Sequence, residues 1–192
     1  LAVHCGKLID GIADAPLIDA MVVIESGRVT YSGRVAGAPA VQPVLDLGTH
    51  TCLPGLIDMH DHIADKAGGS MDMKVYFTRT AAEQAEISRA NAATTLQAGF
   101  TTVRSVGAYI AWAENEIRDR VNRGEVAGPR IQAAGIYLTI PGGGGDLLIP
   151  DVDEKDIPPQ VRMGVARGPK AFAEKARLAV EHGADVIKII AS

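Results

Sequence analysis

The sequence predicts an α/β protein, a small all-β segment followed by a parallel sheet whose strands alternate with helices. Three observations carry this. Residues 1 to about 52 hold strand-like runs and a hairpin signal. From Leu53 onward, short apolar runs alternate with helical stretches that stop at glycines. The composition, 47% hydrophobic and 22% charged over 192 residues, is that of a globular chain with enough apolar material for a core.

In chain order, Leu1 to Ile9 reads as a strand. Residues 20–25 and 28–31 flank Ser26-Gly27, a two-residue hairpin turn. Val41 to Leu47 is a further strand, and the segment up to residue 52 is marginal alone and is expected to pack on something else. Residues 53–192 then form the second domain. Leu53 to His60 is apolar and strand-like. Ala81 to Ala98 is a helix stopped by Gly99, and Thr101 to Arg104 a short strand. Tyr109 to Arg123 is an amphipathic helix stopped by Gly124, and Arg130 to Gly135 a strand. Pro169 to His182 is a helix with Pro in its first turn and Gly183 at its C-terminal cap, leading into a strand at Asp185 to Ile190. Between Ile136 and Gly168 neither period holds; Gly142-Gly143-Gly144-Gly145, an acidic patch and Pro158-Pro159 mark a long loop, read as an active-site lid or a mobile segment.

The net charge of −4 argues against nucleic acid or an anionic membrane as the main partner, and no apolar run approaches the length of a membrane span. No signal-peptide pattern opens the chain. Cys5 and Cys52 are too few for a disulfide framework and fit a reducing compartment, so a cytoplasmic location is expected. The length falls short of the roughly 250 residues of a whole (β/α)8 barrel.

Chemistry concentrates in Pro54-Gly55-Leu56-Ile57-Asp58-Met59-His60-Asp61-His62. Alternate residues of a strand share a face, which puts Asp58, His60 and His62 on one side. Two imidazoles so spaced at the C-terminal tip of a parallel strand can take one cation, at the edge where α/β proteins place their sites. The plainer reading is two strand-end histidines, exposed or hydrogen-bonded. Lys188 interrupts a near-continuous apolar run that reads as a strand buried on both faces. It either snorkels to water or is neutral and chemically altered, for instance by capturing CO2 as a carbamate.

Together, His60, His62 and Lys188 resemble the amidohydrolase superfamily of metal-dependent hydrolases, and the resemblance covers nearly the whole chain. Gly6-Lys7-Leu8-Ile9-Asp10-Gly11 is similar to the family's opening β segment, and Leu53 to His62 to its metal-binding first barrel strand. Ala98 to Arg104 and Gly128-Pro129-Arg130 resemble the branch of imidazolonepropionase-like proteins and Xaa-Pro dipeptidases, and Gly183 to Ile189 that branch's carboxylated-lysine strand.

The resemblance implies the N-terminal half of a (β/α)8 barrel with part of a small β-sandwich. It implies a divalent metal centre, two zinc ions, with His60 and His62 on the more buried ion and a CO2-derived carbamate on Lys188 bridging both. Asp58 is a candidate to support the ligands from behind; Tyr137, Gly143, Gly144 and Asp146 are candidates for the substrate loop. The family takes two further His and a general-base Asp from later strands, so no catalytic base is named here; His4, His50 and His182 are poor substitutes. Two positions depart from the branch, which often has Asp where Ser105 stands and His where Gly144 stands. In peptidase members that His helps hold the substrate. The activity implied is hydrolysis of an amide or peptide C–N bond in a small-molecule or dipeptide substrate. Cyclic-amide hydrolysis, ring deamination, a catalytically silent binding module, or an inactive half needing a complementary barrel half or its own copies remain as alternatives.

Overall fold

The computed structural model describes residues 1–66 and 72–191, which divide into two compact units, Leu1–Gly55 and Leu56–Ser192. The first is a four-stranded sheet of β1 (Ala2–Leu8), β2 (Leu17–Glu25), β3 (Arg28–Arg34) and β4 (Val44–Cys52) in the order β3-β2-β1-β4. Strands β1 and β2 pair antiparallel, as do β2 and β3, while β1 and β4 run parallel. The β2–β3 turn has Ser26 and Gly27 at φ 49° and 74°, the mirror-image turn that matches strand twist. Ala2, Cys5 and Leu8 of β1 bury their side chains with Ala20 and Val23 of β2. At Gly6 the parallel pair closes so tightly that a Cβ would lie 2.1 Å from the Gly48 carbonyl oxygen. Only glycine fits there, and the β1–β4 register slips at that point.

Cys5 and Cys52 are bonded to each other, so the expectation of two thiols is corrected. Count alone gave no sign of the pair: the two residues lie 47 apart in sequence, and only the β1–β4 pairing brings their Cα atoms to 5.9 Å. Disulfides persist in oxidising surroundings, which removes the footing of the inferred reducing compartment.

The second unit is built from βα repeats. Strands β5 (Leu56–Asp61), β6 (Phe100–Ser105) and β7 (Arg130–Ala133) form a parallel sheet in that order, and β8 (Tyr137–Leu138) pairs parallel with β9 (Lys188–Ile189). Gly135, at φ 81°, separates β7 from β8. The segment leading into β9 runs alongside both: the Asp185 N–H donates to the Ala133 carbonyl and the Ile190 N–H to that of Leu138. In effect β5, β6, β7 with β8, and β9 are four successive parallel strands. Between them lie α1 (Val75–Thr78), α2 (Ala81–Gln97), α3 (Ala113–Asn122) and α4 (Gly168–Glu181).

Local sequence explains the helix ends. Thr80 opens α2 with a capping box: its hydroxyl oxygen accepts from the Glu83 N–H, and the Glu83 carboxylate accepts from the Thr80 N–H. Helix α3 starts later than the expected Tyr109, because Trp112 adopts left-handed geometry (φ 67°) and stacks its ring on His182, 4.1 Å between centroids. Apolar periodicity cannot register that break. Ile63, Ala92, Val103, Ile117, Val126, Ile131 and Ala133 form the main core of sheet, α2 and α3. A second cluster, Ile136, Leu138 and Ala179, seats α4 on β8.

The loop from Ile136 to Gly168 is organised, contrary to its featureless sequence. Thr139 bridges to Val165, and short 3-10 turns occupy Glu154–Asp156 and Pro159–Arg162. Leu147, Ile157 and Val161 pack with Tyr76 into a core of their own. Among the described residues no helix is long and apolar enough to cross a membrane.

Candidate metal centre

The end of β5 is irregular in a way that matters for the histidines. Its register against β6 shifts between Asp58 and Asp61, and the Asp58 carboxylate accepts from the backbone N–H of His60 at 2.9 Å. Asp58 therefore holds the backbone of the bulged strand end. The two rings still converge, with His60 and His62 centroids 5.5 Å apart and edge-to-face.

His62 is fixed by its Nδ1, which lies 2.9 Å from the Gly107 carbonyl oxygen. A carbonyl only accepts, so Nδ1 carries the proton and Nε2 presents its lone pair. The Tyr137 hydroxyl oxygen sits 3.1 Å from the same Nδ1 as a second acceptor, its ring 5.9 Å from the imidazole. Tyr137, Tyr109 and Tyr76 form an aromatic row behind it, with centroid distances of 5.0 and 5.1 Å. Burial pushes the hydroxyls of all three upward, so they stay protonated. The Tyr76 hydroxyl donates to Asp65, whose carboxyl is also raised by burial. His60 is exposed, and among the described residues its ring makes no hydrogen bond. Among the described residues the buried Oδ2 of Asp61 has no partner, and burial raises its carboxyl as well.

Lys188 lies opposite Tyr137 in the β8–β9 pair and is half-buried. The expected burial of its strand on both faces is corrected: Ile187 and Ile189 are exposed, at 39% and 58%. Among the described residues β9 is paired on one side only, by β8. Tyr137 thus links two of the three predicted ligands: its hydroxyl touches His62 and its backbone pairs with that of Lys188.

The loop candidates separate in space. Tyr137 faces His62. Gly143 is buried in a turn, its N–H donating to the Ile140 carbonyl, and Gly144 is exposed. The Asp146 side chain is fully buried; it accepts from the Gly142 N–H and from Arg162 Nε and Nη2, while Arg162 Nη1 reaches Glu154. The glycine run is thereby closed by its own Asp rather than held open as an anion cradle.

A residue the sequence did not single out is Glu114, the second residue of α3, which is wholly buried. Its carboxylate accepts from the Ser105 hydroxyl and from the backbone N–H groups of Gly107, Ala134 and Gly135. Burial pushes this carboxyl up, and the donors around it oppose that shift. At Ser105, where the resembled branch often has Asp, a hydroxyl thus meets a carboxylate supplied by α3.

As a test of fit, the donors are of the right type: two imidazoles, one locked with Nε2 free, suit a borderline divalent cation. Among the described residues no third His, Cys, Asp or Glu joins them, so these residues make one part of a ligand set.

Ochratoxinase from Aspergillus niger is 28% identical over 99% of this chain, which spans 42% of that relative. Imidazolonepropionase from Xanthomonas oryzae pv. oryzae is 30% identical over 90% of this chain and 49% of its own length. Among solved structures, a Xaa-Pro dipeptidase with methionine bound in its active site superposes with a TM-score of 0.79 and 33% identity, over 98% of this chain and 46% of that one. The chain therefore spans less than half the length of these relatives, and its fold is the N-terminal half of a (β/α)8 barrel plus part of a small β-sandwich. The amidohydrolase family model matches residues 51–192, from the end of β4 through β9, and the chain belongs to that family.

Proposed function

We propose that the whole protein is a metal-dependent amidohydrolase that cleaves an amide or peptide C–N bond in a dipeptide or an N-acyl amino acid. The supporting observation is the His60–His62 pair at the sheet's C-terminal end, with the His62 Nδ1 taken by the Gly107 carbonyl. His60 and His62 would hold one divalent cation, zinc by donor type, and a carboxylated Lys188 would bridge it to a second. Cations so held supply Lewis acidity, activating water near neutral pH and polarising the scissile carbonyl. The chain's own part is positional. Gly107 and Tyr137 fix the imidazole, and Tyr137, with its proton retained, walls the site on the β8 side. The loop closed by Asp146 and Arg162 stands ready-shaped beside it. The general base and remaining ligands would come from further strands pairing with β5 and β9, where Leu56, Ile57, Met59 and Ile189 are exposed.

The test is turnover of a panel of Xaa-Pro dipeptides and N-acyl amino acids by the whole protein. Activity should be lost on chelation, return with zinc, and be absent from the double variant His60→Ala, His62→Ala. Lys188→Ala should be slow and partly rescued by short carboxylic acids that replace the carbamate. Full turnover of the double variant after chelation would overturn the proposal. Turnover confined to cyclic amides, or release of ammonia from a ring, would move the substrate class but keep the site.

A further inference from the structure

We propose that Glu114 is a positioning residue that sets the orientation and proton placement of His62. The proposal rests on the metal-centre reading above and concerns only residues of this chain.

Everything that touches the Glu114 carboxylate is a donor. Oε1 takes the Ser105 hydroxyl and the Gly107 N–H at 2.9 Å; Oε2 takes the N–H groups of Gly135 at 2.9 Å and Ala134 at 3.1 Å. Among the described residues no Lys or Arg pairs with it. A buried anion without a counter-ion is a costly way to tie two strand ends together. A carboxylate is nonetheless the side chain that accepts at both ends; an amide would point an NH2 at backbone N–H groups.

Two paths lead from this carboxylate, and they meet at adjacent residues. One runs through Gly107: Glu114 fixes its N–H, and its carbonyl receives the His62 Nδ1–H. Gly107 sits at φ 105°, and a Cβ there would lie 2.7 Å from the Tyr137 ring, so the peptide has little freedom to reorient. The other runs through Ser105, whose Oγ donates to Glu114 and accepts the Ile63 N–H at 3.0 Å. Glu114 thus holds the chain just after His62 and the acceptor of its ring. A group whose task was stability alone would have no reason to converge on the ring that presents the metal-binding nitrogen. Outer contacts that fix a ligand imidazole are typically worth 10- to 100-fold in metal affinity.

The test uses the protein labelled with 15N-histidine. Long-range 1H–15N spectra of the metal-free form report the tautomer of His62, assigned by its loss in His62→Asn. The wild type should show Nδ1 protonated and Nε2 bare. E114Q should show mixed tautomers, and its zinc affinity, measured by competition with a chelating dye, should fall about 10- to 100-fold. A merely structural Glu114 would lower the melting temperature and leave tautomer and zinc affinity unchanged, which would overturn the proposal. If E114Q does not fold, E114D decides: withdrawing the carboxylate by one methylene should still disturb the tautomer, and an undisturbed tautomer in folded E114D would overturn it. The tautomer is read without metal, so a disturbed tautomer in a protein that never binds zinc would retire the metal-centre reading and leave the positioning role standing.

Discussion

Among the described residues the His62 Nδ1 has two acceptors, the Gly107 carbonyl and the Tyr137 hydroxyl, and Nε2 has no partner, and this asymmetry distinguishes a prepared ligand from a strand-end histidine. The spacing of His60 and His62 was legible in the sequence, since period two puts alternate residues on one face. What fixes them was not: Gly107 and Tyr137 are 45 and 75 residues away, and Glu114 reads in isolation as one more polar residue near a helix start. Gly107 tests the residue scale most sharply. Gly107→Ala forces a Cβ into the Tyr137 ring at a positive φ, and should destabilise by roughly 2 kcal/mol or more, read from denaturant unfolding. Its zinc affinity should fall as well. A stable Gly107→Ala with wild-type affinity would mean that the carbonyl is not what holds the imidazole.

The hairpin and the βα alternation were legible at the scale of elements because each rests on patterns within a few residues. The ordering of the long loop was not, because it depends on a pair sixteen residues apart, Asp146 and Arg162. Arg162→Met leaves the fully buried Asp146 carboxylate without its partner, and should cost about 3 kcal/mol. Faster proteolysis within residues 139–166 should accompany it. The disulfide was illegible for the same reason, as only the β1–β4 pairing makes Cys5 and Cys52 neighbours. Closing a span of 47 residues should contribute about 4 kcal/mol by the chain-entropy estimate, so the double Cys→Ser variant should unfold at markedly lower denaturant.

In the same sheet, His4 on β1 bridges Asp19 and Asp46, which hold its pKa above 6.5. Protonated His4 is the form that gains from folding. Its contribution is complete below the unfolded value and disappears as pH rises through the folded one. Asp46, lowered by the Gly48 N–H and then by His4, gives its share only above the ordinary carboxylate range. The cross-strand contact should therefore be strongest between about pH 4 and 6.5. The His4 midpoint followed by NMR should drop in Asp19→Asn; an unchanged midpoint would remove the bridge from the account.

At the scale of the whole molecule, the family and the barrel half were legible because the motif strand, the Thr-Thr-Val-Arg strand and the lysine strand occur in order across residues 51–192. The exposure of Ile187 and Ile189 was not, since an apolar run reports what a strand packs against in its complete setting. The central claim is that His60 and His62, at the end of β5, are metal ligands. Zinc content of the whole protein after exhaustive dialysis, with X-ray absorption at the zinc edge, measures it most directly. The account predicts imidazole scattering in the wild type and its marked loss, with most of the zinc, in His60→Ala, His62→Ala. Equal zinc content and an unchanged ligand shell in the two proteins would contradict it.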